Sequence, residues 1–387
     1  MSDRQYLPAP EDPASHANPD DDRDGSLRYP DPKTGRHYTP LLIANYLCLF
    51  IGSVSATLLS KYYFIHRGSS RWVSTWVQSA GFPLLALPIC LPYLLGYTER
   101  SPFSGFTWRL LALSVFVGLC LGVNNLLFSW GNSYLPVSTS SLLLSSQLVF
   151  NLILSIIIVK QKVTFSNLNC VVLLTLSSVL LALGSNHDRP EGLTRGRYFI
   201  GFFCTIGAGL LFALYLPVME KIYRRVYCYA MVMEMQMVME AAATALAMVG
   251  MASNGGFGEM RAEGERRFDR GPRLYAITLV FNVVTWQLCF MGTAGMIFLT
   301  SGLTGGICMT ALMAINVISG VVVYGDDFGG VKIISTLLCS WGFCSYVYGL
   351  YQKMRLERAA EERKRSGTTE DDGMEITPMV VPPNDNV

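Results

Sequence analysis

The stretch Pro272-Arg-Leu-Tyr-Ala-Ile-Thr-Leu-Val-Phe-Asn-Val-Val-Thr-Trp286-Gln287-Leu-Cys-Phe-Met-Gly-Thr-Ala-Gly-Met-Ile-Phe298 decides the fold. A bilayer's hydrocarbon core is about 30 Å thick, so about 20 mainly apolar residues cross it as a helix. This stretch exceeds that length, and its one charge, Arg273, stands at its edge. Trp286 and Gln287 fall midway, where polar groups are expensive. An unpaired amide in hydrocarbon costs roughly 2–7 kcal/mol, so Gln287 needs a ligand or a neighbouring helix to bond. Gln147 and Asn151, four residues apart and so on one helix face, repeat the pattern earlier in the chain. Buried amides beside an indole suit a planar, hydrogen-bonding, largely uncharged ligand. Bridging between packed helices is the competing reading for each of them.

Composition agrees with a membrane protein. Of 387 residues, 51% are hydrophobic and 15% charged, against about 25% charged in soluble domains; mean hydropathy is +0.35. A net charge of +2, with no basic patch interleaved with aromatics outside the membrane, argues against a nucleic-acid partner. All ten cysteines except Cys228 lie in apolar stretches without a CxxC spacing, and so read as small hydrophobes. His16, His37, His66 and His187 sit in tails or loops, and there is no HExxH motif. Neither metal nor cofactor is expected.

The organisation follows from hydropathy. The segments 41–65, 72–95, 108–130, 136–159, 165–184, 198–220, 230–252, 272–298, 300–324 and 331–351 qualify as spans, which predicts an all-α membrane protein of about ten helices. The tails 1–40 and 352–387 are polar or charged and are expected to be disordered. The first lacks an apolar h-region, so no cleavable signal is expected and the first span directs insertion. Pro83, Pro88 and Pro92 lie inside the second span, predicting a kink beside a cavity or an ordinary bend. Basic residues of the loops favour both termini in the cytosol, with Arg261–Arg273 as the main exception, nearly neutralised by Glu259, Glu263, Glu265 and Asp269.

The two halves look related. Asn151 opens Leu-Ile-Leu-Ser-Ile-Ile-Ile-Val before the turn Lys160-Gln161-Lys162, and Asn316 opens Val-Ile-Ser-Gly-Val-Val-Val-Tyr before Gly325-Asp326-Asp327. Five spans is an odd number, so duplicated units 41–184 and 198–351 would insert in opposite orientations. Such inverted repeats place a substrate site near the midplane, served by alternating access; similar composition alone is the alternative. Gly118/Gly122 and Gly302/Gly306 are expected to bring helices into close contact.

Several segments resemble the plant purine permeases. They are Trp76-Val-Gln78-Ser-Ala-Gly81-Phe82-Pro83-Leu-Leu, Tyr134-Leu135-Pro136-Val137-Ser138-Thr139-Ser140-Ser141-Leu, Ser145-Ser146-Gln147-Leu148-Val149-Phe150-Asn151, Trp286-Gln287 and Trp341-Gly342-Phe343-Cys344-Ser345-Tyr346-Val347-Tyr348-Gly349. The resemblance runs from about Asn45 to Tyr351. It implies a drug/metabolite-transporter fold of ten helices in two inverted five-helix repeats. It also implies import of nucleobases such as adenine, of cytokinins, or of related heterocycles including alkaloids and pyridoxine, usually with protons. The ninth span departs from the pattern: many members have a Pro where this chain reads Ala314-Ile315-Asn316, and an acid followed by Lys where it reads Asp326-Asp327.

The residue chemistry is compatible with that substrate class. A carboxamide engages neighbouring donor and acceptor atoms of adenine bidentately, and the flat base stacks on aromatics. Gln147, Asn151, Gln287 and Asn125 are candidates for the base edge, Trp286 and Trp76 for its face, and Asn316, the counterpart of Asn151, joins the set. Gln147, Asn151, Trp286 and Gln287 are expected to converge on one cavity. Trp76 also suits an interfacial belt. Asn124 and Asn125 are adjacent, so at most one lines a cavity. Glu240 is the acid nearest the middle of a span, with Gln236 one turn before it. It is the candidate for proton coupling, against a structural role. Glu234, nearer the loop, is expected at a solvated position.

Three further classes compete. A nucleotide-sugar or phosphate antiporter needs a cation in the cavity, whereas Lys61 and Arg109 stand near span ends. An intramembrane enzyme finds no catalytic constellation, since Gly325-Asp326-Asp327 lies in a turn. A non-transporting receptor is the third. The expected partners are a small heterocycle, protons and the lipid bilayer, and the expected location is the plasma membrane, with an internal membrane as the alternative.

Overall fold

Hydrocarbon offers the backbone no hydrogen-bond partner, so each apolar segment must satisfy its own N–H and C=O groups, and it does so as a helix. The structure, a computed structural model, describes residues 38–96, 99–159, 165–183, 193–226, 228–300, 302–326 and 328–371. Of the tails expected at 1–40 and 352–387, residues 1–37 and 372–387 lie outside these residues, as do the Lys160-Gln161-Lys162 turn, His187 and Asp327. Among the described residues every regular element is helical. In chain order they are α1 (Tyr38–Ile65), α2 (Arg71–Ser79), α3 (Ala86–Leu94), α4 (Trp108–Tyr134), α5 (Val137–Leu144), α6 (Gln147–Val159) and α7 (Phe165–Leu183). The second half holds α8 (Arg195–Tyr223), α9 (Tyr229–Ser253), α10 (Gly256–Ala262), α11 (Pro272–Leu299), α12 (Gly302–Tyr324) and α13 (Gly330–Asp371).

Eight helical stretches among the described residues are long and apolar enough to cross a membrane, and α7 and α12 carry shorter apolar runs, Leu168–Ser177 and Ile315–Tyr324. The chain is a multi-pass membrane protein. The element boundaries refine the sequence segments in three places. The second span is broken: α2 ends at Ser79, a 3₁₀ turn covers Phe82–Leu85 and α3 follows, as expected where Pro83 lacks an N–H. The fourth span is interrupted at Ser145-Ser146, whose hydroxyls donate to the carbonyls of Leu142 and Leu143, each at 2.6 Å, satisfying groups near the break. Finally, α13 continues to Asp371 through the charged stretch read as a tail. Arg355–Arg365 is built of Ala, Leu, Glu, Lys and Arg, all strong helix formers.

Small residues set the close helix contacts. Gly52 of α1 faces the backbone of Thr285 and Cys289 on α11, and Gly292 returns the contact against Asn45 and Leu49. Gly118 and Gly122 let α4 lie against Met239 and Ala243 of α9, while Gly131 meets Thr205 of α8. Gly302 and Gly306 meet Leu216 of α8, and Gly306 also meets Asn151 of α6. At the margin α7 pairs with α13, where Ser177 and Ser335 each donate to the other's carbonyl.

The connections carry their own polar clusters. Between α9 and α11, α10 and a π-helical turn (Glu263–Arg267) bury Glu263 completely. It ties the start of α2 to α1 and α11 by accepting from Ser69, Ser70, Tyr63 and Tyr275. Asp326 accepts from the Ser138 N–H at the start of α5 (2.8 Å), and Lys61 donates to the last carbonyls of α4. At the opposite end Glu220 of α8 accepts from the Gly302 N–H at the start of α12 (3.0 Å). Glu234, expected to be solvated, is 1% exposed because the 99–107 segment folds over it. Arg100 pairs with it at 2.9 Å and the Phe103 N–H donates to it at 3.0 Å.

Candidate functional site

The two broken spans and the two central helices of the second half meet around one cavity. Its wall includes Ser53 and Thr57 of α1, Gln78 at the last turn of α2, Asn124 and Phe128 of α4, and Ser141 and Gln147 flanking the α5–α6 break. Phe212 of α8, Trp286, Cys289 and Phe290 of α11, and Met309, Met313 and Asn316 of α12 complete it. None of these side chains is charged. The free space is about 60 Å³, enough for a few waters.

Part of the wall is aromatic. Trp286 stacks on Phe290 with centroids 5.5 Å apart and meets Phe128 edge-on at 5.3 Å. Its indole N–H donates to Ser60 at 3.2 Å, and Ser60 donates to Asn282. The ring is thereby held in one orientation with its N–H occupied. The rest of the wall is apolar, interrupted by a few polar side chains. Gln78 Oε1, Asn124 Oδ1, Ser141 Oγ, Gln147 Nε2 and Asn316 Oδ1 are buried without a hydrogen-bond partner in the protein. Buried polar groups are nearly always paired, so five such atoms around one space mark a place where a ligand or water supplies the partners.

Of the residues chosen from sequence, Gln147, Asn316 and Trp286 line this cavity and come from opposite halves of the chain. Four others do not. Asn151 lies one turn past Gln147, buried against Gly306 and accepting from Ser155. Gln287, next in sequence to Trp286, points off the cavity and donates to Glu240 at 3.3 Å. Asn125 is packed behind the wall, its carbonyl accepting from Gln78, and its neighbour Asn124 takes the lining position. Trp76 stands in a separate apolar groove between α2 and α11, beside Pro83 and Tyr275. The four-residue convergence expected from sequence therefore reduces to Gln147 and Trp286.

Behind the Trp286 wall lies a buried carboxyl. Glu240 and Gln236 are both 0% exposed. Gln236 Nε2 donates to Glu240 Oε1 at 2.9 Å and Gln287 Nε2 to the same oxygen at 3.3 Å, while Oε2 has no partner. Tyr215 donates to Gln236 at 3.3 Å and stacks on the cavity residue Phe212. Glu240 is thus one residue removed from the cavity through Gln287 to Trp286, and two residues removed through Gln236 and Tyr215 to Phe212.

Gln78, Asn124, Phe128 and Phe212 were missed as site residues. For Gln78 a signal existed: a lone amide one turn before Gly81-Phe82-Pro83 sits where a span must break. For Asn124 the signal was the adjacent pair Asn124-Asn125, which does not say which of the two faces inward. For Phe128 and Phe212 the sequence carries none, since lipid-facing and cavity-facing positions on α4 and α8 are equally apolar.

A sequence profile for purine nucleobase transmembrane transport matches residues 40–356. The chain belongs to the purine permease family. It resembles probable purine permease 4 of Arabidopsis thaliana, 67% identical over 318 residues that span 81% of this chain and 83% of that protein. Purine permease 2 of the same plant is 35% identical across 88% of this chain and 99% of its own. Purine permease 3 is 33% identical across 85% and 95%. A solved crystal structure, 12% identical, superposes with a TM-score of 0.51 over 80% of this chain and 98% of its own length, a likeness of fold. The family is one of transporters rather than enzymes.

Proposed function

We propose that this permease imports purine nucleobases, cytokinins or related planar heterocycles together with protons, by alternating access at the cavity between its halves. The observation that carries the reading is the set of five unpartnered polar atoms on residues that share one cavity with Trp286, Phe290 and Phe128. Acceptors and donors around one edge of a slot with aromatic rings at its side suit a flat base with alternating donors and acceptors. A polyanionic substrate fits less well, because no cation is among the described residues that line the cavity.

The helix contacts support ten spans in two inverted five-helix repeats, with α7 and α12 as the fifth and ninth. Matching the halves in order pairs α1 with α8, α2–α3 with α9, α4 with α11, α5–α6 with α12 and α7 with α13. Under that exchange the packing of α1 on α11 becomes that of α8 on α4, and α4 on α9 becomes α11 on α2. The α6–α8 contact becomes α12–α1, and the α7–α13, α2–α9 and α5–α12 contacts map onto themselves. Asp326 on the start of α5 and Glu220 on the start of α12 tie helix ends at opposite ends of the bundle, which suits alternate opening. With both termini in the cytosol, Asp326 faces outward and Glu220 inward.

Glu240 is the proton carrier of this reading. Protonation of Oε2 or Oε1 alters the bond to Gln287, and Gln287 is joined covalently to Trp286, so proton occupancy and the aromatic wall are mechanically connected. The test is uptake of labelled substrate in yeast lacking its own purine importer, with adenine, trans-zeatin, caffeine and pyridoxine at two external pH values. Adenine or zeatin accumulation stimulated by external acid is the expected result. Uptake of none of the four, or uptake indifferent to pH, overturns the substrate or the coupling respectively.

A further inference from the structure

A second cleft, distinct from the central cavity, lies where three helices end together. Its walls are Thr107, Arg109, Leu110 and Leu113 at the start of α4, Lys221, Ile222, Arg225 and Val226 at the end of α8, and Met231 in the first turn of α9. The cleft measures about 500 Å³, within the size of a small-molecule site. Three of its residues are cations and none is an acid. Two acids of this end are already engaged elsewhere, Glu220 by Arg224 and Gly302 and Glu234 by Arg100. Thr107 caps α4 by accepting from the Leu110 N–H, and the positive end of this long helix opens on the same cleft.

The depth of the cleft is fixed by its neighbours. Trp108, adjacent to Arg109, is 79% exposed, and a bare indole at a span end marks the headgroup level of a bilayer. Leu110, Leu113, Ile222 and Met231 supply an apolar floor beside the three cations.

We infer that this cleft binds the phosphate headgroup of an anionic phospholipid, with Arg109, Lys221 and Arg225 around the phosphate and the apolar floor against the first carbons of the tails. Basic pockets between spanning helices recognise anionic headgroups in this way. In the orientation proposed above, the cleft opens to the cytoplasmic leaflet, where anionic lipids concentrate. Neither the substrate nor proton coupling enters the inference, so it stands or falls apart from them.

The test uses the full-length protein purified in micelles of mixed phosphatidylcholine and phosphatidylserine, with bound lipids counted by native mass spectrometry. Wild type should retain phosphatidylserine over phosphatidylcholine, and R109Q/K221Q/R225Q should lower that preference by at least about tenfold, since each basic group near an anionic surface is worth roughly fivefold. R109K/R225K, which keeps the charge, should retain it, as should R195Q/R273Q at the opposite end of the bundle. Equal retention of the two lipids by wild type overturns the proposal without any variant. So does an unchanged preference in the triple variant, or displacement of phosphatidylserine by inorganic phosphate, which would make the cleft a site for soluble anions.

Discussion

Glu240 and Glu263 are both completely buried carboxyls in the second half of the permease, and they are held in opposite ways. Glu263 accepts on both oxygens. The Ser69 N–H, Ser69 hydroxyl and Ser70 N–H reach Oε1 at 2.9, 2.7 and 2.9 Å, and Tyr63 and Tyr275 reach Oε2 at 2.7 and 3.3 Å. Glu240 receives both of its amide bonds on Oε1 and leaves Oε2 bare. A carboxylate saturated by donors on fixed backbone and rigid rings has nowhere to move and nothing left to bind. A carboxyl with one open oxygen and two pivoting amides can take up a proton and reorganise. Burial alone does not separate a staple from a working group; the count and stiffness of its partners do.

The largest effect expected from this contrast is on folding. Glu263→Ala removes the acceptor shared by two backbone N–H groups, a hydroxyl and two phenols, leaving Tyr63 and the Ser70 backbone only their mutual 3.2 Å contacts. It should cost about 3–5 kcal/mol of stability, the range for breaking one partner out of a buried charged network. Thermal unfolding of the detergent-solubilised protein would register it as a large drop in midpoint or as loss of folded material. Glu263→Gln, which keeps the shape but turns one acceptor into a donor, should fall between. A Glu263→Ala protein as stable as wild type would erase the distinction.

Next comes Glu240→Gln, which imitates the protonated form. It should unfold near the wild-type temperature, exchange substrate across the membrane, and fail to concentrate it, with the stimulation by external acid gone. Counterflow and net accumulation in the same proteoliposomes separate the two activities. If the variant still accumulates substrate with wild-type pH dependence, Glu240 is a structural group like Glu263.

How much of this was legible beforehand depended on how local the cause is. The spans announce themselves through hydropathy, and the break of the second span through Pro83, whereas the break at Ser145-Ser146 falls inside 136–159, read as one continuous span. Gln147, Asn316 and Trp286 could be chosen because an amide or indole in hydrocarbon requires a partner. Which way a side chain points could not. Asn124 and Asn125, or Trp286 and Gln287, differ by one step around a helix, and in a lipid-exposed bundle apolar residues surround the helix on all sides. Azimuth is fixed by packing, as where Gly118 and Gly122 dock α4 on α9 and so decide which asparagine faces inward. Glu263 illustrates the same limit. In sequence it is one of four acids offsetting a basic loop, while its partner Tyr63 stands 200 residues away.

Trp286 and Gln287 make a smaller version of the comparison, on two faces of one helix. Trp286→Ala should weaken substrate affinity by about 1–3 kcal/mol, the usual worth of stacking a base on an aromatic ring, and Trp286→Phe should recover part of it. The change should appear in competition binding without altering the pH dependence of transport. Gln287→Leu should do the reverse, blunting pH dependence with little loss of affinity. Identical phenotypes for the two would mean that both faces serve one task.

The smallest effect belongs to Glu265, two residues from Glu263 in the same turn. It pairs with Arg261 at 2.9 Å, with the partners 52% and 82% exposed respectively. The bond from Arg261, with the charge of that guanidinium, holds the Glu265 carboxyl below its usual range. A carboxyl whose folded value lies below the unfolded one, about 4.3, adds stability that is fully present above that unfolded value. The contribution is lost as pH falls through the lower folded one. Water and salt screen an exposed pair of this kind until little remains. Glu265→Gln should therefore shift the unfolding midpoint barely at neutral pH and low salt. The difference should stay constant from about pH 8 to 6, fade on acidification below about 4, and vanish at about 1 M salt, where the screening length is near 3 Å. A loss approaching that of Glu263→Ala would mean that the turn is held by its charges. The contrast predicts that it is held by the saturated carboxylate beneath them.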